Sequence, residues 1–143
     1  MIALVDTNVV LDLLLPRKDH LAQAELVFAA SETGQVRGLL CATTLTTIHY
    51  LTAKTLGKTT SLHALRRLLN VFDVASVTKA VIEDALANTA FSDFEDAVLH
   101  AAAKANQAQA IVTRNVKDFR GANLPVFTPE EFIATLQETD EDQ

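Results

Sequence analysis

MIALVDTNVVLDLLL, residues 1–15, decides the architecture. Ile2 to Val5 is a short apolar run without polar alternation, which suits a strand buried on both faces of a parallel sheet. Thr7 and Asn8 are residue types that start helices, and Val9 to Leu15 is apolar apart from Asp12. Asp6 is therefore expected at the carboxyl end of a strand, directly before a helix. In open α/β sheets that edge is where ligands bind. The alternative is that Asp6 or Thr7 simply caps the helix. What separates the two is whether other carboxylates arrive at the same edge.

Composition narrows the class. At 143 residues the chain suits one domain, residues 1–137, followed by an acidic segment 138–143 expected to be solvated and frayed. Apolar residues make up 49% and charged residues 21%, the balance of a globular protein rather than a disordered one. No basic region precedes the first apolar run, as a signal peptide would require, and no apolar stretch is long enough to span a bilayer. The single cysteine, Cys41, excludes an internal disulfide and fits a reducing cytoplasm. Within LLCA it reads as a buried small hydrophobe. The net charge of −6 argues against a broad nucleic-acid-binding surface. Glu138, Asp140, Glu141 and Asp142 supply much of it, however, and the basic residues occur in clumps such as Arg17 with Lys18 and Arg66 with Arg67. A locally positive groove stays open beside ordinary surface charge.

The chain has no internal repeat and no linker, and Gly and Pro are scarce. Its periodicities predict strands at 2–6, 37–41, 71–75, 109–113 and 125–127. They predict helices at 8–15, 19–33, 44–55, 59–70, 78–89, 94–107 and 129–137. Alternation of strands and helices implies a parallel sheet covered on both faces, a three-layer α/β/α sandwich of four or five strands. Thr128-Pro129-Glu130-Glu131 is a helix start: Thr as cap, Pro in the first turn, acids against the dipole.

FSDFEDAVLHAAAKANQA carries the next acids. Phe94, Ala97, Val98, Ala101, Ala102 and Ala105 recur at helical spacing and form the expected buried face. Asp93, Asp96, His100 and Lys104 form a neighbouring stripe, with Asp93 and Asp96 close enough to approach on one turn. Two acids at a helix start also gain from the helix dipole alone. The helix leads into QAIVTRNVKDF, where Ala110 to Val112 reads as a buried strand ending in Thr113, Arg114, Asn115 and, beyond Lys117, Asp118. If that strand lies beside the first, Asp6, Asp96 and the Asn115/Asp118 segment converge on one crevice. Clustered carboxylates resist joint ionisation unless a cation sits among them. Such oxygen ligands suit Mg²⁺ or Mn²⁺ rather than zinc, and the chemistry that site serves best is phosphodiester hydrolysis.

VDTNVVLDLLL, DFEDAVLHAAA and IVTRNVKDF, in that order and spacing, resemble the signature segments of PIN domains, from Asp6 to Phe119. That family includes the ribonuclease toxins of VapC-type toxin–antitoxin pairs. The resemblance implies a Mg²⁺- or Mn²⁺-dependent endoribonuclease acting on RNA. Asp6 matches the first metal-binding acid and Asp96 the acid that opens the later helix. Asn115 matches the position after the last main strand, and Asp93 and Asp118 are extra acids such sequences carry nearby. The expected metal set is Asp6, Asp96 and Asp93; the expected catalytic set adds Asn115 and Asp118. One position departs. In CATTLTTIHYL, Thr47 stands where the family has a Glu, and no acid lies between Glu32 and Asp73 to replace it. A PIN-fold module that has lost catalysis and binds RNA or a protein is therefore the competing expectation.

Arg17 and Arg114 follow segments near the proposed edge and are the expected phosphate contacts, with Thr7 and Asn8 beside Asp6. Asp12, off the turn that bears Asp6, is expected to pair with Arg17 or another base. His20, His49, His63 and His100 lack metal-ligand spacing and read as structural or surface histidines. A cognate antitoxin, a homodimer and a cytoplasmic location complete the expectations, with no membrane partner. A phosphotransfer or receiver-like domain would also place Asp at strand ends. It wants a second Asp where Asn8 stands, or an acceptor Asp on a middle strand that the chain does not offer.

Overall fold

A computed structural model describes residues 1–15 and 17–141, the Asp140 side chain excepted. Strands β1 (Ile2–Val5), β2 (Arg37–Cys41), β3 (Asp73–Ala75), β4 (Ala110–Val112) and β5 (Val126–Phe127) form one sheet in the order β3-β2-β1-β4-β5. Every pairing is parallel. The helices are α1 (Thr7–Leu14), α2 (Leu21–Glu32), α3 (Ala42–Leu56), α4 (Lys58–Val71), α5 (Lys79–Ala87), α6 (Phe94–Ala105) and α7 (Pro129–Glu141). Among the described residues no helix is long and apolar enough to cross a membrane.

The first strand is central because it is apolar on both sides. Ala3 and Val5 enter a core with Val9, Val27, Ile48, Leu68 and Phe132, from the helices α1, α2, α3, α4 and α7. Leu4 enters the opposite core with Val81, Val98, Leu99 and Phe119, beneath α5 and α6. Strand β4 repeats the pattern, with Ala110 and Val112 in the first core and Ile111 in the second. A strand with water on one face would waste half of such a run. From β1 the chain winds one way through β2 and β3, then returns on the other side through β4 and β5. The winding direction thus changes between β1 and β4. The segments that follow them enter opposite layers, α1 on one face and the turn at Phe119 on the other, and this opens a crevice at the strands' carboxyl ends.

Several expected boundaries move. Strand β3 begins at Asp73 instead of 71, because α4 continues to Val71 and the Phe72 amide still donates to Leu68 O at 2.7 Å. Phe94 and Ala105, expected on the buried face of α6, are exposed, Phe94 at 51%, because they are the first and last helical residues and the core takes only the stretch from Ala97 to Ala103. The segment from Glu138 to Glu141, expected to be frayed, is the last turn of α7. The rest of that acidic segment lies outside the described residues. The start of α7 follows the sequence: Thr128 Oγ1 accepts from Glu131 N at 3.1 Å and donates to Glu131 Oε1 at 3.0 Å.

Gly38 marks the tightest packing between β2 and the helical layer. A Cβ there would sit 2.5 Å from Phe72 Cδ1 and 2.7 Å from Ser31 Oγ. The Phe72 ring is buried and packs edge-on against Phe28, with centroids 6.1 Å apart, so it has little room to yield. Gly38→Ala is therefore expected to destabilise the fold by about 1–3 kcal/mol, against the usual gain from replacing a strand glycine. The urea midpoint measures it. A companion Phe72→Leu change should recover part of the loss, because it removes the atoms the new methyl strikes.

Candidate active site

Asp6 and Thr113 form the floor of the crevice between β1 and β4. Asp6 follows β1 and caps α1, its Oδ1 accepting from the Thr7 amide at 2.7 Å. Thr113 follows β4, is fully buried, and donates its hydroxyl to Asp6 Oδ2 at 2.8 Å. Asn8 braces the pair: its Nδ2 lies 3.3 Å from both Asp6 Oδ2 and Thr113 Oγ1. Its Oδ1 accepts from the Arg114 amide at 3.2 Å, and the Asn115 amide donates to Thr113 Oγ1 at 3.0 Å. The Thr113 hydroxyl thus donates once and accepts twice, which uses its full capacity. Capping and site formation are one arrangement at Asp6. The cap leaves the carboxylate at the open end of the strand, with its orientation set by partners from two strands.

The other acids come from α6 and from the 3₁₀ turn Val116–Phe119. Asp93 caps α6, its Oδ1 accepting from Glu95 N at 2.8 Å and Asp96 N at 3.4 Å. Asp96 is half-buried one turn in, while Asn115 and Asp118 are exposed. Burial pushes the Asp96 carboxyl up to about 7, reinforced by the negative charges of Asp93, Asp6, Asp118 and Glu95. Burial also raises the Asp6 carboxyl above the usual range. The Thr113 and Thr7 hydrogen bonds pull the other way, Asp118 adds to the rise, and Arg114 relieves it. Asp6, Asp93, Asp96 and Asp118 therefore stand close enough to act electrostatically at one edge. Among the described residues, no three His, Cys, Asp or Glu side chains are grouped closely enough to hold a metal ion.

The expected phosphate contacts are held by a shared carboxylate. Asp12, 1% exposed, receives Arg114 Nε at 2.5 Å and the second guanidinium nitrogen at 3.2 Å. Arg17 approaches the same carboxylate at 3.5 Å. This fork ties the segment after β4 to α1 and leaves the remaining N–H groups of both arginines for other partners. The Thr7 hydroxyl is buried without a hydrogen-bond partner among the described residues. Thr47 is half-buried on α3.

Two of the histidines, His49 and His100, serve structure. His49 Nδ1 lies 2.8 Å from Ser61 Oγ and links α3 to α4. His100 is buried against the Phe91 ring, and its Nε2 lies 2.9 Å from Asn123 Oδ1 and 3.2 Å from the Asn123 amide. Thr113 is the site residue that sequence reasoning passed over. Its signal was present: a hydroxyl residue directly after an apolar strand run, at the position matching Asp6 on the neighbouring strand.

A PIN domain model matches residues 3–117. The chain belongs to the PIN domain family. Solved PIN-type structures share its fold. VapBC2 from Rickettsia felis, bound to a DNA fragment from its promoter, is 16% identical, with 88% of this chain and 97% of that chain covered and a TM-score of 0.70. A toxin–antitoxin complex from Klebsiella pneumoniae is 24% identical over 89% of this chain and 97% of that chain, TM-score 0.68. VapC20 from Mycobacterium tuberculosis, a sarcin–ricin loop cleaving toxin, is 20% identical over 76% and 86%, TM-score 0.60. At these identities the likeness is one of fold. No curated protein matches the chain.

The raised Asp96 carboxyl carries a pH signature. Its value is about 7 in the folded chain against 3.8 for an ordinary Asp, so the folded state holds the proton more tightly. Stability is favoured while Asp96 is protonated and falls as pH rises from 3.8 towards 7. Relative to Asp96→Asn, which stays neutral, wild-type melting temperature should therefore drop progressively across that window. Parallel melting curves of the two proteins at acid and neutral pH check it; a constant difference would mean Asp96 ionises freely.

Proposed function

We propose that this PIN domain is a metal-dependent endoribonuclease and the toxin of a toxin–antitoxin pair. The observation that carries the proposal is the carboxylate cluster at the β1/β4 crevice, where burial first and the neighbouring acids second raise the Asp96 carboxyl to about 7, and where Arg114 flanks Asp6 as a counter-charge. Such a cluster is unfavourable by itself and becomes favourable around a bound cation. The donors are all oxygens, and among the described residues no three acids stand close enough to hold an ion by themselves, so Mg²⁺ or Mn²⁺ would be held by one or two carboxylates, with water and substrate phosphate completing the shell. Asp6 and Asp96 would hold it, with Asp93 and Asp118 alongside. A cation there supplies Lewis acidity for hydrolysing a phosphodiester.

The chain's own residues supply orientation. Thr113, Asn8 and the Thr7 amide hold the Asp6 carboxylate in one rotamer. Asp12 holds Arg114, and with it Arg17, at the flank where a phosphate would lie. Asn115, exposed after β4, would contact the substrate at the crevice mouth. The family supports the nuclease class, and the cleavage of the sarcin–ricin loop by VapC20 supports RNA as substrate. The antitoxin complexes among the structural neighbours support a cognate antitoxin. A homodimer and a cytoplasmic location belong to the same proposal. The competing module without catalysis is favoured by Thr47, which leaves the cluster one acid short.

Two experiments test the proposal. Purified protein should cleave RNA only with Mg²⁺ or Mn²⁺ present, and Asp6→Asn should abolish cleavage. Millimolar Mn²⁺ should raise the wild-type melting temperature by about 2–5 °C, which corresponds to a metal concentration several times Kd in a domain of this size. Asp6→Asn/Asp96→Asn should show no such rise. Binding of RNA without metal-dependent cleavage would favour the module that has lost catalysis.

Thr47 offers a gain-of-function check. Replacing it by Glu adds a charged oxygen on α3, and Thr47→Glu is expected to tighten Mn²⁺ binding in a calorimetric titration and to speed cleavage. Equal or weaker binding would mean that position 47 faces away from the cluster, or that the added repulsion exceeds the added coordination.

A further inference from the structure

The hairpin of α3 and α4 is chemically unlike the rest of the chain. No Asp or Glu occurs between Glu32 and Asp73, although the whole protein carries a net charge of −6. Lys54, Lys58, Arg66 and Arg67 on this hairpin are all exposed, and none has an ion-pair partner among the described residues. Of the eight bases elsewhere in the chain, four are offset: Arg114 and Arg17 by Asp12, Arg37 by Asp73, Lys79 by Glu83. The hairpin also displays the chain's single tyrosine. Tyr50 is 66% exposed, among the most exposed large apolar side chains, and among the described residues it packs against no other ring.

These residues are ordered along one helical face. Thr43, Thr47, Tyr50 and Lys54 succeed one another at spacings of four, three and four, so they form a stripe along α3. Helix α3 leaves the sheet at Cys41, on the strand that pairs with β1. The register sets Leu39 beside Leu4, so continuing it brings Cys41 level with Asp6. The stripe therefore starts at the edge that bears the carboxylate crevice and runs out to the turn at Gly57, whose φ of +90° favours glycine. Lys58 opens α4 on the far side of that turn, and α4 packs back along α3 through the His49–Ser61 contact.

We propose that this stripe is the track for a single-stranded segment of the RNA substrate, with Tyr50 stacking a base and Lys54 and Lys58 contacting the flanking phosphates. The proposal rests on the ribonuclease function proposed above and adds where the strand leaves the crevice. An exposed ring between hydroxyls and an unpaired lysine is what a base with its phosphate requires: a flat face at low entropy cost, and a cation one sugar-phosphate unit away. A duplex offers no free base face, so the track selects single strands. An acidic protein segment would match the lysines but would leave the ring without a stacking partner, and a second copy of the hairpin would bring like charges together.

The test uses the full chain in EDTA, where cleavage does not interfere. The probe is a single-stranded oligouridylate of about a dozen nucleotides, and the reporter is Tyr50 itself, because the chain has one Tyr and no Trp. Binding should quench the tyrosine emission as the base stacks. Tyr50→Leu should weaken binding by roughly fivefold to a hundredfold, the span for loss of one base–aromatic stack, and Tyr50→Phe should retain it. Lys54→Gln/Lys58→Gln should flatten the slope of log affinity against log salt by roughly 1.4, about 0.7 for each lost phosphate contact. Tight binding without quenching, with unchanged affinity in Tyr50→Leu, would overturn the track while leaving the ribonuclease function standing. Absence of both binding and metal-dependent cleavage would overturn the two together. Emission that changes with protein concentration alone would make the hairpin an interface between copies, and the track would fall.

Discussion

A single hydrogen bond sits where the whole arrangement is decided: the buried Thr113 hydroxyl donating to Asp6 Oδ2 at 2.8 Å. It joins the residues that follow β1 and β4, the two strands between which the winding of the sheet reverses. The Asp6 amide adds a backbone bond to Val112 O at 2.9 Å, so the strand ends are clasped just before they part. A buried carboxylate is costly unless hydrogen bonds meet its charge. Here the Thr7 amide, the Thr113 hydroxyl and the Asn8 amide group meet it, and each comes from the segment that Asp6 itself helps to place. The carboxylate organises the crevice and the crevice makes the carboxylate tolerable.

A second buried acid has the opposite character. Asp12 is almost wholly enclosed, yet two guanidinium groups converge on it. Removing one partner of such a pair typically costs about 3–5 kcal/mol, because the other charge is left stranded. Asp12 therefore works as an anchor, drawing Arg114 over α1 and fixing the course of the chain after β4. The acids of the α6 side have no such partners. Asp93 is occupied by helix amides, and Asp96 meets like charges from four neighbours. One edge of one sheet thus holds a neutralised carboxylate and, beside it, an uncompensated group. Only the latter gains from an incoming cation.

Charge is also distributed between elements. The acids concentrate around the crevice and at the end of α7, while the segment from Thr33 to Phe72 contains none. The net charge is acidic, but net charge describes no particular surface. A chain of this sign can present a cationic arm wherever helix faces collect the bases and keep acids away.

The sequence by itself determined the elements and their order. Runs such as IALV and AIV are apolar on both alternations, which only a strand covered on two faces can use, and the intervening helical periods are long enough to leave little ambiguity. The cap at Thr128 and the burial of Cys41 followed from local chemistry of the same kind. The ordered signature segments also pointed to Asp6 and Asp96, because acids at strand and helix ends are local features of the chain. What only the tertiary structure decided was pairing across distance. Thr113 became a site residue because parallel pairing sets β4 against β1, and Arg114 met Asp12 because the turn after β4 folds back over α1. Phe94 escaped the core because it is the first residue of its helix and burial begins only at Ala97. Periodicity says which face of a helix is apolar; it does not say where along that face the neighbouring layer stops. Side chains a hundred positions apart meet only when the sheet's register is set, and that depends on the two cores closing together.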